Sequence, residues 1–241
     1  MLSFVVPCYN EEKRILNTIT QIEESCKKLT IKEYKILIVD DCSLDNSRKV
    51  IENEIKNKSY LKYYKNEKNL GFGGAVKTGL SLLDDEYLMW LPGDDAHPSS
   101  QIIKILEVFL RNKEKNYDIV STHYSRNSKR NFFREFFTKS YTPILNFLFG
   151  LKIPYYNGLS IIKKASLNKI EIKTNAHCWQ VELWVKLSNL KNLNFIFIET
   201  EVYDPNRKAT AFKFFNSIKV IYNIFRLALI SFKNRFLNFF N

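Results

Sequence analysis

Four segments of the sequence combine glycine, amide and acidic residues in patterns that could do chemistry. They are Pro7–Glu12, Val39–Ser47, Asn69–Ala75 and Pro92–Pro98. The third is rich in glycine and opens a predicted helix, so its backbone N–H groups and the positive end of the helix dipole suit a phosphate. The acidic residues of the fourth would repel a phosphate unless a divalent cation that prefers oxygen ligands, Mg²⁺ or Mn²⁺, bridged the two. Carboxylates in the second suit hydrogen bonds to a ribose or a base edge.

Each of these segments also has a purely structural explanation. Ser43 and Asp45 could cap a helix, and glycines such as Gly71 are common wherever a strand ends. Asp94 and Asp95 could begin a helix without binding a metal. The combination indicates a ligand site more strongly than any one segment, because all four follow predicted strands whose ends would share one crevice.

Alternating strands and helices must position these segments. Short apolar runs rich in β-branched and aromatic residues predict strands at Leu2–Val6, Lys35–Asp40, Leu61–Tyr64 and Tyr87–Leu91. Helices are predicted at Glu11–Lys28, Asp45–Lys56, Gly74–Leu83 and Pro98–Arg111. This alternation implies right-handed crossovers and a parallel sheet, which binds its ligands at the carboxyl ends of the strands.

The pattern changes after Thr122. The elements predicted around and beyond this point are a strand at Asp118–Ser121, a helix at Asn131–Phe149 broken by Pro143, a strand at Leu159–Ile162, a helix at His177–Asn189 and a strand at Phe195–Glu199.

The last thirty residues, 212–241, are predicted to form a basic amphipathic helix. Its apolar face would carry Phe214, Ile218, Ile221, Phe225, Phe232 and Phe239, and its opposite face Lys219, Arg226 and Lys233. This segment and residues 124–152 together supply +10 of the formal net charge of +12. Such a helix is expected to lie on an anionic membrane surface without spanning it. The alternative is that its apolar face packs on the rest of the protein or on a second subunit.

Composition narrows the class of protein. A chain of 241 residues, of which 45% are hydrophobic, can bury one sizeable core and is not disordered. The four cysteines lack paired metal spacing and suggest unpaired thiols in a reduced cytoplasm. No signal peptide or spanning helix is recognisable. Nucleic-acid binding is disfavoured, because the basic and aromatic residues of the last helix occupy opposite faces.

Taken together, the four segments resemble glycosyltransferase family 2, whose members are inverting, nucleotide-sugar-dependent enzymes of GT-A fold. His97-Pro98, the strand that follows Asn157-Gly158, and Gln180–Leu183 are similar to the branch that includes dolichol-phosphate mannose synthase. The resemblance implies an α/β fold with a mixed, mostly parallel sheet flanked by helices, followed by the C-terminal amphipathic extension. The corresponding divisions are a GT-A domain at 1–211, with a nucleotide-sugar half at 1–122 and an acceptor half at 123–211, and a tail at 212–241.

The resemblance also implies roles for individual residues. Asp94 would hold a Mg²⁺ or Mn²⁺ ion on the diphosphate of the donor. The implied nucleotide-sugar-binding residues are Pro7, Tyr9, Glu11, Asp40, Asp41, Gly74, Ala75, Lys77, Asp94, Arg207 and Lys213. Arg207 and Lys213 would close over the phosphates, although Arg207 could equally be a solvated surface residue.

The chain departs from the family pattern at several positions. Pro92 stands where the first Asp of the metal motif is expected, and His123 stands where polyprenol-phosphate enzymes carry an arginine. Pro154 replaces an Asp, and Cys178 replaces a lysine four residues before Glu182. These changes put metal affinity and transfer to a lipid phosphate in question.

The implied reaction is attack of an acceptor oxygen on the anomeric carbon of a nucleotide sugar, at the cytoplasmic face of the cell membrane. A lipid-phosphate acceptor is already ionised and needs no base, whereas a glycan hydroxyl needs a carboxylate. Asp95 and Glu182 are the candidate bases, and the sequence does not rank them. Glu182 could instead be a paired structural acid. A noncatalytic domain that only binds the nucleotide sugar is a further alternative, and the oligomeric state is not predicted.

Overall fold

The computed structural model describes residues 1–124, 132–201 and 220–229. Its strands are β1 (Leu2–Cys8), β2 (Tyr34–Asp40), β3 (Leu61–Lys65), β4 (Tyr87–Trp90), β5 (Ile119–Tyr124), β6 (Ser160–Lys163) and β7 (Phe195–Thr200). Its helices are α1 (Ile15–Lys28), α2 (Ser47–Ile55), α3 (Phe72–Leu82), α4 (Ser99–Arg111), α5 (Phe132–Phe149), α6 (Lys164–Leu167), α7 (Trp179–Ser188) and α8 (220–229). A short 3-10 helix covers Lys113–Lys115.

The strands form one seven-stranded sheet in the order β3-β2-β1-β4-β6-β5-β7. Only β6 is antiparallel to its neighbours among these strands. The carboxyl ends of β1 to β4 therefore meet at one edge of the sheet, and the strand order reverses direction between β1 and β4. Ligands of open α/β sheets bind at such a reversal. The two halves expected from the sequence, 1–122 and 123–211, share this single sheet.

Alternate residues of the buried strands point into two apolar layers, as the period of a β-strand requires. Val5 packs in the layer that contains α3 and α7, whereas Phe4 and Val6 pack in the layer that contains α1 and α4. Gly79 brings α3 close to the sheet, because a Cβ there would lie 2.3 Å from Val5 Cγ1.

The predicted α/β fold is confirmed, and the strands lie where the sequence places them, to within a few residues at their ends. The first helix begins at Ile15 instead of Glu11, because the Glu11 carbonyl closes a turn by accepting from the N–H groups of Arg14 and Ile15. The predicted break at Pro143 is wrong, since α5 continues through it. Leu145 and Phe149, on the C-terminal side of the proline, are buried in the core and favour continuation of the helix.

Of the predicted C-terminal tail, the structure describes only α8. Leu227 and Ala228 of this helix are buried against the core. Among the described residues, no helix has the length and apolar character needed to cross a membrane. The division of the chain into domains stays a prediction.

Candidate functional site

The turns after β1 and β2 are joined by hydrogen bonds. Asn10 has a left-handed backbone, with φ of 57°. Its N–H donates to Ser43 Oγ at 3.0 Å, and its side-chain oxygen accepts from the Leu44 N–H at 2.7 Å. Glu11 N–H donates to Ser47 Oγ at 2.9 Å. The two turns therefore form one wall of the crevice at the reversal of strand order.

Two residues implied to bind the nucleotide lie on this wall with different exposures. Pro7 is buried within β1, whereas Tyr9 is 45% exposed just beyond the strand. An exposed aromatic ring beside a crevice can stack on a base. The sequence left open whether Asp45 caps a helix or binds a ligand. In the structure, the Asp45 carboxylate accepts from the Ser47 N–H at 2.9 Å and the Glu12 N–H at 3.1 Å. Asp45 therefore fixes the start of α2.

Asp40 ends β2 and is fully buried. One carboxylate oxygen accepts from the Ser43 N–H at 2.8 Å and the other from the Tyr63 hydroxyl at 2.7 Å. Burial and the neighbouring Asp40 carboxylate raise the pKa of Tyr63 well above its usual value, so Tyr63 remains a donor. Because Asp40 is buried, direct contact with a ribose or base would require the Ser43 turn or Tyr63 to move, and its predicted contact with the nucleotide stays a prediction.

Asp41 holds the glycine-rich turn that precedes α3. It accepts from the Leu70 N–H at 2.8 Å, the Gly71 N–H at 2.7 Å and the Asn66 amide at 2.8 Å. Both carboxylate oxygens are thus engaged within the protein. Direct binding of a nucleotide by Asp41 would have to share or replace one of these bonds.

The glycines of this turn allow a close approach to the loop 173–177. Gly71 has φ of 81°, a conformation that favours glycine. A Cβ at Gly73 would lie 2.8 Å from the carbonyl oxygen of Ala176 and 2.9 Å from Trp179 Cβ. Gly74 and Ala75 are buried in the first turn of α3. These glycines therefore have a role in packing, which supports the structural alternative that the sequence left open beside phosphate binding.

Lys77 of α3 contacts the segment that leads into the same loop. Its Nζ donates to the carbonyl oxygens of Ile172 and Lys173, both at 3.1 Å. Burial lowers the pKa of Lys77; the carboxylates of Glu182 and Glu171 oppose this shift, and the cations of Arg226 and Lys186 add to it. The structure therefore assigns Lys77 a contact with the 172–173 backbone, and its predicted contact with the nucleotide sugar stays a prediction.

The loop after β4 carries the two predicted carboxylates. Gly93 N–H donates to the Pro7 carbonyl oxygen at 3.0 Å, which places this loop beside the end of β1. Asp94 is half-buried there. Asp95 has φ of 56°, donates from its N–H to Thr18 Oγ1 at 3.0 Å, and accepts from the Asn17 amide at 3.3 Å. The two neighbouring aspartates therefore differ, because α1 engages Asp95.

The donor chemistry of this loop fits a divalent cation that is shared with a substrate. Across the described ranges there is no group of three or more His, Cys, Asp or Glu residues that could enclose a metal. Mg²⁺ on a nucleotide needs no such group, because it is held by one or two carboxylates together with the substrate phosphates. Asp94, at the carboxyl end of β4, can supply that carboxylate.

Glu182 of α7 is buried and surrounded by donors. It accepts from the Lys173 and Thr174 N–H groups at 3.1 and 2.8 Å, and it pairs with Lys186 Nζ at 2.8 Å. Burial alone would raise the pKa of Glu182, but the Lys186 and backbone hydrogen bonds outweigh it and lower the pKa below its usual value. Glu182 is therefore an ionised carboxylate that fixes the loop 173–177.

Arg226 of α8 reaches the same carboxylate. Its Nη2 lies 3.6 Å from Glu182 Oε2. Together with His177, whose ring stacks on Phe72 at 5.7 Å, Arg226 lines a cavity of about 360 Å³ between α8, the loop 173–177 and the turn before α3. We refer to it as the Arg226 cavity. Arg207 and Lys213 lie outside the described residues.

A comparison with known families decides which proteins this chain is related to. The family model described as "Glycosyl transferase family 2" matches residues 3–171. The chain belongs to this family. The resemblance expected from the sequence is thereby confirmed.

Relatives of the chain include two enzymes named for lipid phosphates. The chain is 31% identical over 136 residues to undecaprenyl-phosphate 4-deoxy-4-formamido-L-arabinose transferase of Proteus mirabilis, a match that covers 56% of the chain and 40% of the relative. It is 30% identical over 126 residues to dolichyl-phosphate beta-glucosyltransferase of Saccharomyces cerevisiae, covering 50% of the chain and 38% of the relative. The matched regions thus span less than half the length of these relatives.

Solved structures confirm the expected GT-A fold. Glucosyl-3-phosphoglycerate synthase from Mycobacterium tuberculosis, in complex with UDP, superposes with a TM-score of 0.69 at 14% identity, covering 95% of this chain and 80% of that one. S. aureus TarS 1–349 in complex with UDP-GlcNAc superposes with a TM-score of 0.58 at 18% identity, covering 95% of this chain and 66% of that one. At these identities the similarity establishes the fold.

Two features of the site were missed in the sequence. Arg226 was placed on the basic face of the last helix, where the sequence predicted contact with lipid headgroups. That placement is wrong, because Arg226 turns toward Glu182 and its side chain is only 33% exposed. From the sequence, His177 was named only as the first residue of a predicted helix, with no functional role. A basic residue at helical spacing gives no sign of whether it faces solvent or a distant carboxylate.

Proposed function

We propose that this protein is an inverting glycosyltransferase that moves a sugar from a nucleotide diphosphate sugar to an acceptor at the cytoplasmic surface of the cell membrane. The observation that carries the proposal is the convergence of the turns after β1, β2, β3 and β4 at one sheet edge, in a chain of glycosyl transferase family 2. Hydrogen bonds between these turns, such as Asn10 to Ser43 and Asp41 to Gly71, hold the crevice in shape without a ligand.

The donor would bind between the turns after β1, β2 and β4. Tyr9 and Asp40 would contact the base and the ribose, with Pro7 and Glu11 beside them. Asp94 would hold Mg²⁺ or Mn²⁺, and the cation, when bound, neutralises charge on the departing diphosphate. A structural neighbour that contains UDP also contains Mn²⁺. Arg207 and Lys213 would add positive charge on the open side of the phosphates.

The transfer step exchanges one bond for another at the anomeric carbon. An acceptor oxygen forms a bond with this carbon from the face opposite the diphosphate. The bond from the carbon to the diphosphate oxygen breaks, and its electron pair leaves with the nucleoside diphosphate. A phosphate acceptor brings an ionised oxygen, whereas a hydroxyl must also lose its proton to a base.

The geometry favours a lipid phosphate, such as a polyprenyl phosphate, as the acceptor. Glu182, one of the two candidate bases, has a lowered pKa and is engaged by Lys186 and two backbone N–H groups. The carboxylate of Asp95, the other candidate, accepts from the Asn17 amide of α1 at 3.3 Å, while its backbone N–H donates to Thr18 Oγ1. Glu182 is thus engaged in contacts within the protein, which supports an acceptor that needs no base from it. The names of two relatives, which refer to undecaprenyl and dolichyl phosphate, support the same acceptor class. Transfer to a sugar hydroxyl of a lipid-linked glycan is the competing possibility.

The apolar face of α8 supports peripheral binding to the membrane. Ile221 and Phe225, which the sequence placed on this face, are 67% and 64% exposed. Phe147 of α5 is 91% exposed. Apolar side chains in the acyl boundary, with cations of the flanking sequence at the anionic headgroups, would hold the protein reversibly. This proposal keeps the predicted membrane contact but assigns Arg226 to the interior of the protein.

A noncatalytic nucleotide-sugar-binding domain is the second candidate, and Pro92 favours it. Pro92 cannot supply the carboxylate that the family pattern places there. A thermal-shift screen of UDP-, GDP- and dTDP-sugars with and without Mn²⁺ tests donor binding in both cases. We expect Mn²⁺-dependent stabilisation by the sugars of one nucleotide. A screen in which no donor raises the melting temperature would contradict the proposed function and its alternative.

A further inference from the structure

Helix α8 forms part of the wall of the Arg226 cavity. Its lining includes Gly71, Phe72, Lys173, His177, Asn223 and Arg226. The cavity lies against the first turn of α3, which the Gly73 N–H connects to the Asn175 carbonyl oxygen at 3.1 Å. Its volume of about 360 Å³ falls in the range of small-molecule sites.

The Arg226 guanidinium has donors to spare. Its Nε and Nη2 atoms are buried and have no hydrogen-bond partner within the described part of the chain. The distance of 3.6 Å to Glu182 allows Coulomb attraction but exceeds that of a hydrogen bond. Glu182 is already satisfied by Lys186 and by backbone N–H groups. Both atoms are shielded from solvent, whereas the side chain as a whole is 33% exposed and lines the cavity. A small rotation of the guanidinium toward the cavity would therefore offer an acceptor N–H groups that have no hydrogen-bond partner among the described residues.

The surroundings of the cavity favour an anion. Four cationic side chains line the Arg226 cavity or lie close to it: Lys77, Lys173, Lys186 and Arg226. Against them stand three carboxylates: the buried Glu182, the exposed Glu171, and Asp41, which accepts from the N–H groups of Leu70 and Gly71 in the cavity wall. The N-terminus of α3, an 11-residue helix, adds the positive end of its dipole. A guanidinium with unused N–H groups matches the oxygens of a phosphate.

The geometry points to the Arg226 cavity as the site that binds the phosphate group of the acceptor. This inference rests on the proposed function, since it takes the acceptor to be a prenyl phosphate. The stacked rings of Phe72 and His177 would form an apolar wall for the first carbons of the chain. Helix α8 would then have two roles, because it turns Arg226 inward while Ile221 and Phe225 face outward. The phosphate would be drawn from the membrane surface into the cavity along one helix.

Binding of geranyl phosphate, a soluble prenyl phosphate, to the full-length protein tests the site. Isothermal titration of wild type, Arg226→Gln and Arg226→Lys is compared with Arg111→Gln, which removes the same charge from a side chain that is 77% exposed. We expect Arg226→Gln to weaken binding about 10- to 100-fold, the loss typical of a hydrogen-bonded charge. Arg226→Lys should be intermediate, Arg111→Gln should match wild type, and geraniol should not bind.

Two further measurements separate the possible outcomes. A nucleoside diphosphate with Mn²⁺ should bind Arg226→Gln as it binds wild type, and saturating it should not displace geranyl phosphate. Displacement of geranyl phosphate by the nucleoside diphosphate would assign the cavity to the donor and overturn the inference. Equal affinities of Arg226→Gln and Arg111→Gln for geranyl phosphate would also overturn it. So would the absence of geranyl phosphate binding by wild type. If Arg226→Gln fails to fold, Asn223→Asp, which adds a negative charge to the cavity wall, should weaken geranyl phosphate binding. Geranyl phosphate binding without sugar transfer would refute the proposed function and leave the site intact.

Discussion

Glu182 and Arg226 pair across 3.6 Å and connect α7 with α8, although 43 residues separate them in the sequence. The same carboxylate accepts from the backbone of Lys173 and Thr174. One buried acid therefore fixes the loop 173–177 and orients α8. Glu182 therefore positions both elements, and its predicted role as a base stays a prediction.

Removal of the Asp94 carboxylate should abolish metal-dependent binding of the nucleotide. Asp94→Asn keeps the shape of the side chain and removes the charge that would hold Mn²⁺ beside the diphosphate. We expect the affinity for a nucleoside diphosphate to become independent of Mn²⁺, measured by titration with and without the ion. Asp84→Asn, at a side chain that is 98% exposed, is the matched control. Unchanged Mn²⁺ dependence in Asp94→Asn would assign the metal to another group.

Asp95→Asn distinguishes the two acceptor classes. With a prenyl phosphate acceptor we expect turnover within about tenfold of wild type, because no proton has to be removed, whereas loss of a general base costs roughly 10²–10⁴ in rate. Steady-state transfer at saturating donor gives the comparison. A loss of two or more orders of magnitude at unchanged donor affinity would contradict transfer without a base and assign Asp95 a part in the chemical step.

Glu182→Gln should lower the free energy of unfolding and make this free energy less dependent on pH. The lowered pKa of Glu182 means that its contribution to the free energy of unfolding is present above the usual Glu pKa and is lost as the pH falls through the folded value. At neutral pH the variant should be less stable by about 3 kcal/mol, since Arg226 and Lys186 lose their buried partner.

Urea unfolding between neutral pH and about pH 3 measures this difference, because an unperturbed Glu titrates near 4.3. The gap between wild type and Glu182→Gln should narrow as the pH falls. Glu171→Gln, at a side chain that is 78% exposed, should follow wild type throughout. A gap that stays constant with pH would mean that Glu182 is not an ionised partner in the folded state.

The apolar face of α8 should be required for membrane binding. Replacing both Ile221 and Phe225 by serine removes exposed apolar area while leaving the buried Leu227 and Ala228 in place. We expect the full-length double variant to stop floating with anionic vesicles at low salt, because cations alone contribute about 1 kcal/mol each. Serine at Leu82 and Leu110, which are also exposed, is the control and should not affect flotation. Flotation of the Ile221/Phe225 variant would place the membrane contact elsewhere.

Sequence reasoning succeeded where contacts are local or periodic. The run Ile36–Val39 could be recognised as a strand because consecutive β-branched and aliphatic residues fit a sheet that is covered on both faces. The strand ends then indicated where a ligand would bind. Asp94 could be singled out because its segment follows such an end.

The features of the site that the sequence did not predict depend on contacts between residues that are far apart in the chain. Asp41 holds the N–H groups of Leu70 and Gly71, about thirty residues away, and no local pattern distinguishes such a bond from a bond to a ligand. The position of Gly73 is explained by Ala176, a hundred residues later. Arg226 lies seven residues from both Lys219 and Lys233, a spacing typical of the solvent-facing side of a helix. Only the fold shows that the Glu182 carboxylate lies beside it.

Sugar transfer in the crevice can be measured in a direct assay. The full-length protein would be incubated with Mn²⁺, a labelled donor selected by thermal shift, and geranyl phosphate, and the products separated by chromatography. We predict a labelled prenyl phosphate sugar of inverted anomeric configuration, formed by wild type and not by Asp94→Asn. Donor binding by wild type without a labelled product, from either geranyl phosphate or a lipid-linked glycan, would contradict the account and identify a noncatalytic nucleotide-sugar-binding domain.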